Sequence, residues 1–233
     1  MFRTLPTAVA LVAALVLLAA AGCGSSGDKA SAETLVRESA DATGALKTFH
    51  FTLDVQNVPR SGTGLQLTSA EGDVVVPDRA QADIGGTFAG VPISTQVVAI
   101  GDQVWLENPL SGKWQTIDVN ATPVALLDPS KGVLAVMEGI SQPMDEGTEQ
   151  IDGVTLRKIS GTASAADVAP LVAVSPSDLE VPVLLWIGEE DSLLHKIEVS
   201  GPVAEGEPDD VLRVVEISRF DEPVTIEAPE GSG

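Results

Sequence analysis

Apolar residues recur at helical spacing between Ala32 and Leu46. This spacing predicts an amphipathic helix over residues 31–46, because positions three and four apart share one side of a helix. From Thr48 to Gln56 the period changes to two, which predicts a strand with one apolar face. That face carries Phe49, Phe51, Leu53 and Val55.

Short runs of β-forming residues, separated by turn residues, follow over most of the chain. We expect strands at residues 65–70, 73–76, 79–88, 91–100, 103–106 and 113–119, then at 147–151, 154–161, 181–187, 193–200, 210–220 and 224–227. One predicted turn falls at Glu71-Gly72. Two further helices are predicted, one beginning at Asp128-Pro129 and one running from Ser164 to Val172. Short strands at this spacing are typical of an antiparallel meander, so we predict an α+β fold with a single sheet of about ten strands and a few helices on one face.

Three predicted strands are apolar on both faces, whereas an antiparallel strand usually has one face in contact with water. They contain Val74-Val75-Val76, Val97-Val98-Ala99-Ile100 and Val183-Leu184-Leu185-Trp186-Ile187. Either both faces are covered, by helices or by a partner, or one face lines an apolar cavity. Because a large apolar cavity is costly when empty, a cavity here would hold an apolar ligand.

The amino terminus has the features of an export signal. Arg3 precedes an apolar run, residues 8–21, that is too short for a transmembrane helix. The only cysteine, Cys23, follows this signal directly, and its position resembles a lipobox, in which the thiol receives a diacylglycerol. The alternative is an ordinary signal peptide cut after Ala19-Ala20-Ala21, with Cys23 incidental.

These features divide the chain into four segments. We predict a lipoprotein signal peptide at residues 1–22, a flexible tether at 23–30, a single folded domain at 31–228 and a disordered tail at 229–233.

The charge of the chain excludes some partners. It carries 34 acidic and 13 basic side chains, which gives a formal net charge of −21. A phosphate backbone would repel such a chain, so we expect no nucleic-acid binding. A polybasic contact with anionic lipid headgroups is disfavoured for the same reason.

Residues typical of catalysis are scarce. The sequence contains no nucleophile elbow, zinc-protease motif, phosphate-binding loop, dinucleotide-binding loop or EF-hand loop. We interpret His50 as solvated or in a surface hydrogen bond, and His195 as a partly buried structural residue. The acidic clusters at 189–191 and 209–210 fall at turns, where we expect solvated side chains. We therefore predict no enzyme activity, no cofactor and no metal site; a hydrolase with an unrecognised site is an alternative.

Several segments are informative because of the order in which they occur. They are Gly22-Cys23, Leu46 to Phe51, Gly72 to Ala80, Gly101 to Leu106, Lys113-Trp114, Asp128 to Ser130, Leu185 to Leu194 and Glu222 to Ile226. As a series they resemble the mycobacterial LppX/LprG/LprF lipoproteins. This resemblance implies a curved antiparallel sheet, or half-barrel, folded over helices as in the LolA/LolB carriers. It also implies an apolar cavity for acyl chains between sheet and helices, and it brings no catalytic residues.

The resulting hypothesis is a membrane-anchored lipoprotein that binds acyl chains of envelope lipids or glycolipids and carries them across the cell envelope. It would be attached through Cys23 to the outer face of the cell membrane, with extracellular release as a further location and an envelope lipid transporter as partner. A scaffold lipoprotein with a filled core that partners such a transporter is the alternative. For the cavity lining we select Phe51, Leu53, Val98, Val133, Leu134, Met137, Ile140 and Leu185.

Overall fold

The computed structural model describes residues 31–58, 65–117, 132–172 and 178–230. These residues form three helices, α1 (Ala32–Gly44), α2 (Val133–Gly139) and α3 (Ala165–Val172). They also form eleven strands: β1 (Thr48–Gln56), β2 (Leu65–Val75), β3 (Arg79–Phe88), β4 (Val91–Ile100), β5 (Gln103–Glu107), β6 (Trp114–Ile117), β7 (Ser141–Ile151), β8 (Val154–Ser164), β9 (Glu180–Gly188), β10 (Leu194–Ser200) and β11 (Leu212–Ser218). The predicted signal peptide and tether, and the predicted helix start at Asp128-Pro129, lie outside the described residues.

The eleven strands form one antiparallel sheet in the order β6-β5-β4-β3-β2-β1-β11-β10-β9-β8-β7. The chain starts in the centre with β1, moves outward strand by strand to β6, continues at the opposite edge with β7 and returns to the centre with β11. There β11 pairs with β1 from Ser218–His50 to Leu212–Gln56. The sheet is therefore open, with β6 and β7 at its edges, and the predicted half-barrel with a few helices is confirmed.

Strand direction defines two ends of this sheet. We call the end at which β1 finishes and β2 begins the upper end, and the opposite end the lower end. Because neighbouring strands are antiparallel throughout, the β3–β4 and β5–β6 turns lie at the upper end. The β7–β8 turn lies at the lower end.

The local signals of the sequence account for the first helix and the first strand. Ser31 caps α1, because its Oγ accepts a hydrogen bond from the Thr34 backbone N at 3.2 Å and satisfies a free N–H group of the first turn. In the same way Ser164 Oγ accepts from the Asp167 backbone N at 3.2 Å at the start of α3. In β1 the alternation predicted from sequence is confirmed, since Phe49, Phe51, Leu53 and Val55 are all buried.

The inner face of the sheet packs against the helices and forms the main core. Helix α1 contacts β7 and β10, and both α2 and α3 contact β8. Val36, Met137 and Val168 from the three helices join Leu53 and Leu185 from the strands in one buried cluster. Each fully buried aliphatic side chain contributes about 1.5–3 kcal/mol of transfer free energy, so this face supplies most of the stabilisation.

The outer face is partly covered by the carboxy-terminal segment, residues 219–230. The chain leaves β11 through Arg219 and Asp221, whose φ angles are 49° and 54°, and then crosses the outer face. Ile226 is 1% exposed and packs against Val98 and Trp105. The predicted strand at 224–227 is wrong, because this segment lies across the sheet and does not pair along an edge.

This cover explains the strands that are apolar on both faces. In β4, Val97 joins the inner core, whereas Val98 packs beneath the carboxy-terminal segment. In β9, Trp186 occupies the outer face and is only 3% exposed. The ammonium groups of Lys158 and Lys196 lie 5.0 and 4.6 Å from its ring centre, which stabilises them by cation–π attraction.

The turn predicted at Glu71-Gly72 is also wrong, because β2 continues through it. Gly72 pairs with Phe51 on one side and with Ala82 on the other. A Cβ atom at Gly72 would lie 2.1 Å from the Gln81 carbonyl oxygen. The glycine therefore allows close approach of two strands and does not mark a turn.

Candidate functional site

A groove of about 420 Å³ opens between α1, the end of α2 and the start of β7. Its apolar lining includes Val36 and Ala40 from α1, and Met137 and Ile140 from the end of α2. Val36 and Met137 are only 4% and 1% exposed and belong to the main core. The groove thus reaches the core from the surface, and its volume lies within the range of about 300–1,000 Å³ that is usual for ligand sites.

Charged side chains surround the opening of this groove. Glu33, Arg37 and Asp41 project from α1, and Glu138 lies at the end of α2. Three carboxylates and one guanidinium give the opening a net negative charge. An acyl chain is indifferent to this charge, but an anionic headgroup placed here would be repelled.

The inner face of the sheet changes in character on either side of β1. On the side of β2, β3 and β4, which we call the small-residue side, the inner positions include Ala70, Gly72, Ala80, Ala82 and Ala99. On the side of β8, β9 and β10, which we call the large-residue side, they include Ile159, Leu185, Ile187, Leu194 and Ile197. The three helices make their main sheet contacts on the large-residue side.

Seven of the eight residues selected for a cavity lining lie on the helix side of the sheet. Phe51, Leu53, Val133, Met137 and Leu185 are buried in the main core, and Leu134 and Ile140 pack against it. Met137 and Ile140 also line the groove. Val98 is misplaced in that set, because it lies on the outer face with Trp105 and Ile226.

His50 belongs to a polar cluster on the outer face. Its Nδ1 lies 2.8 Å from Asp73 Oδ1 and its Nε2 lies 3.3 Å from Glu71 Oε1; Arg219 also contacts Nδ1. His50 is 9% exposed, so of the two expectations, a solvated or a hydrogen-bonded histidine, the structure shows the second. These groups line a second pocket of about 320 Å³ with Asp83, Gln96 and Trp114, and so polar a lining does not suit an acyl chain.

His195 and the acidic turn before it form a local structure. His195 Nε2 lies 3.1 Å from Asp191 Oδ2, and Asp191 Oδ1 accepts a hydrogen bond from the Leu193 backbone N at 2.9 Å. Glu189 pairs with Arg157. In the part of the chain that the structure describes, no group of three or more His, Cys, Asp or Glu side chains could hold a metal ion.

Sequence reasoning did not find the α1 side of the groove. Periodicity predicts only an amphipathic helix here, with Val36 and Ala40 on its apolar side and Glu33, Arg37 and Asp41 on its solvated side. The sequence signal that could have indicated the groove is the boundary between these two sides of the helix, where charged residues border apolar ones. No helix among the described residues is long and apolar enough to cross a membrane.

Comparison with known proteins identifies the class to which this fold and groove belong. The model of the LppX_LprAFG lipoprotein family matches residues 31–226. The chain therefore belongs to the LppX_LprAFG lipoprotein family, which confirms the resemblance seen in the sequence.

Two relatives from Mycobacterium tuberculosis are similar over most of their length. The lipoarabinomannan carrier protein LprG is 30% identical over 194 residues, covering 78% of this chain and 80% of LprG. The putative phthiocerol dimycocerosate transporter LppX is 28% identical over 196 residues, covering 82% of this chain and 77% of LppX. The names of both relatives describe carriage or transport of lipids.

Solved structures support the fold. The crystal structure of LprF from Mycobacterium bovis superposes with a TM-score of 0.69 at 23% identity, covering 86% of this chain and 97% of LprF. LppX from M. tuberculosis superposes with a TM-score of 0.59 at 23% identity, covering 84% of this chain and 98% of LppX. At this identity the likeness concerns the fold alone.

Proposed function

We propose that this protein is a lipid carrier of the cell envelope that holds acyl chains between the inner face of its sheet and its helices. The observation that carries this proposal is the groove beside α1, through which the core residues Val36 and Met137 are reached from the surface. The carrier and transporter names of relatives in the same family support it.

Burial of an acyl chain provides binding affinity without any covalent reaction. Each CH₂ group removed from water contributes about 0.8 kcal/mol, so a long acyl chain supplies a large gross driving force. Selectivity then depends on the charged opening of the groove. Because Glu33, Asp41 and Glu138 outnumber Arg37 there, we propose uncharged or glycosylated headgroups as the preferred cargo and phosphorylated headgroups as disfavoured.

We further propose that Cys23 is acylated and anchors the protein to the outer face of the cell membrane. The proposal rests on the position of Cys23, which is the only cysteine of the sequence and directly follows the predicted export signal. Cys23→Ser should move the protein from the membrane fraction to the soluble fraction and remove the acyl mass from its amino terminus. A wild-type protein without acyl mass would overturn the anchor and leave the cargo proposal standing.

The cargo is tested by mass spectrometry of an organic extract of the natively purified protein. We expect acyl lipids in near-stoichiometric amount. The matched variants are Ala40→Trp, which places an indole in the groove, and Val154→Trp, which adds one at an exposed turn far from it. Ala40→Trp should retain at most about a fifth of the bound lipid with the same thermal stability, and Val154→Trp should retain all of it.

The alternative function, a scaffold that partners an envelope lipid transporter, gives the opposite result. A filled core would leave the extract free of stoichiometric lipid. It would also make Ala40→Trp indistinguishable from Val154→Trp in lipid content. Either finding would overturn the carrier proposal, whereas co-purification of a transporter with a lipid-loaded protein would support a carrier that delivers to it.

A further inference from the structure

Exposed large apolar side chains concentrate at one end of the molecule. In the described part of the chain six such side chains occur: Phe88, Val91, Leu110, Met144, Val154 and Leu179. Phe88 and Val91 flank the β3–β4 turn, and Leu110 lies in the β5–β6 turn, so all three are at the upper end. Leu179 directly precedes β9, which places it at the upper end, and Met144 lies in the upper half of β7. We call these five residues the apolar rim; only Val154 lies at the lower end.

The β3–β4 turn is the most apolar part of this rim. Phe88 pairs with Val91 and the two are 55% and 62% exposed. Between them Ala89 and Gly90 have φ angles of 49° and 79°, the combination of a tight two-residue hairpin. Residues 84–95 contain no charged side chain, although the chain as a whole has a net charge of −21. The β3–β4 turn is thus a charge-free apolar feature of an acidic protein.

The chain that leads to the proposed anchor leaves the fold at the same end. The end of α1 lies at the lower end, because Thr43 Oγ1 accepts a hydrogen bond from the Leu194 backbone N at the start of β10. The start of α1 is at the opposite end, where Glu33 and Arg37 line the groove with Gln142 and Pro143 of β7. Only residues 24–30 separate Ser31 from Cys23, and such a segment reaches at most about 30 Å when fully extended.

We propose that the apolar rim is a membrane-docking surface that inserts into the acyl region of a lipid bilayer. A bilayer is the occupant that fits these observations together, because the rim consists of two projecting turns together with Met144 and Leu179, toward the end that the anchor would hold near the membrane. Electrostatic attraction to anionic headgroups is disfavoured by the net charge of −21, so apolar insertion is the mode of contact that this surface offers. The groove beside the start of α1 then faces the lipid from which cargo would be taken. The biological purpose of docking rests on the proposed carrier function, whereas the positions of the five rim residues do not depend on it.

The test measures contact with the acyl region directly. Phe88→Trp and, as the matched control at the other end, Val154→Trp are combined with phosphatidylcholine vesicles whose acyl chains carry bromine, a quencher of indole fluorescence. The signal of the unsubstituted protein is subtracted. The measurement is made on the acylated chain and on the Cys23→Ser chain, so that it does not depend on the anchor. We expect at least threefold stronger quenching of the Phe88→Trp indole than of the Val154→Trp indole in both forms.

Equal or negligible quenching at the two positions would overturn the proposal, and would favour a protein partner for the rim. A second measurement follows transfer of a fluorescently labelled acyl lipid between the protein and vesicles. The double variant Phe88→Asp with Val91→Asp should slow transfer about tenfold, whereas Val154→Asp should not change it. An unchanged rate in the double variant would contradict docking by the rim, while the lipid content measured by mass spectrometry would still report on the carrier function separately.

Discussion

The small-residue side and the large-residue side of the inner face are built differently, although they belong to one sheet. On the large-residue side, Leu185, Leu194 and Ile197 are fully buried, and the helices contact the strands directly. On the small-residue side, Ala80, Ala82 and Gly72 occupy equivalent positions. The large-residue side therefore buries bulkier side chains than the small-residue side, where Val74 and Val97 are the larger buried residues.

The difference teaches that one sheet can combine large, densely packed side chains on one side of its central strand with small side chains on the other. Large interdigitated side chains stabilise a fold through the area that they bury and through dense packing. A cavity needs the opposite, namely side chains short enough to leave space.

The largest effect is expected on the large-residue side. Leu185→Ala removes a fully buried side chain from β9 and should lower the free energy of unfolding by about 2–5 kcal/mol. Equilibrium denaturation of the lipid-free protein measures it, with Val154→Ala as an exposed control. A loss below about 1 kcal/mol would mean that this side can collapse or is loosely packed.

On the small-residue side, Gly72→Ala should destabilise for a steric reason. The new Cβ would lie 2.1 Å from the Gln81 carbonyl oxygen, so β2 and β3 would have to separate, at a cost of about 1–3 kcal/mol. The matched control is Gly85→Ala in β3, where the nearest atom is Ser69 Oγ at 2.4 Å. That hydroxyl can rotate away, so the control should lose less stability; equal losses would contradict this explanation.

Enlarging a residue on each side compares the two directly. If a cavity lies over the small-residue side, Ala82→Leu should change the free energy of unfolding by less than about 1 kcal/mol, because the added atoms would enter that cavity. It should also reduce the bound lipid. Ala163→Leu in β8, at a position only 1% exposed, should destabilise by about 1–3 kcal/mol. If both variants lose the same stability, the two sides are equally packed and the comparison fails.

The smallest effect concerns α1, the helix that covers the large-residue side. Ser39 Oγ is buried and has no hydrogen-bond partner in the described structure, so Ser39→Ala should leave stability unchanged or raise it by up to about 1 kcal/mol. Thr43→Ala is the contrasting variant, because it removes the acceptor of the Leu194 backbone N and should cost about 1–3 kcal/mol. A clear loss of stability in Ser39→Ala would show that its hydroxyl has a partner.

Elements with a strong local signal were predicted well. The bounds of β1 agree with the prediction at both ends, since strict alternation is sufficient to define a half-buried strand. The turn at Glu71-Gly72 failed because a glycine that allows close strand approach looks like a turn glycine in sequence. The strand at 224–227 failed because an extended segment and a strand have the same local pattern, and only pairing distinguishes them.

Residue Val98 shows where site prediction reached its limit. Val97 and Val98 are both buried apolar residues of β4, so periodicity cannot decide which of them faces the helices. The groove could not be predicted either, because Val36, Met137 and Pro143 come from elements that are far apart in the chain.

The sequence by itself determined the class of fold, most of the helices and strands, and the family. These features depend on local spacing and on the order of short motifs, both of which can be seen along the chain. The tertiary structure alone decided which face of each doubly apolar strand is the core, that the carboxy-terminal segment covers the outer face, and that the apolar rim and the start of α1 share one end. Those features arise from pairing and packing between distant segments. The side-chain pattern within one segment does not indicate which distant segments will contact it.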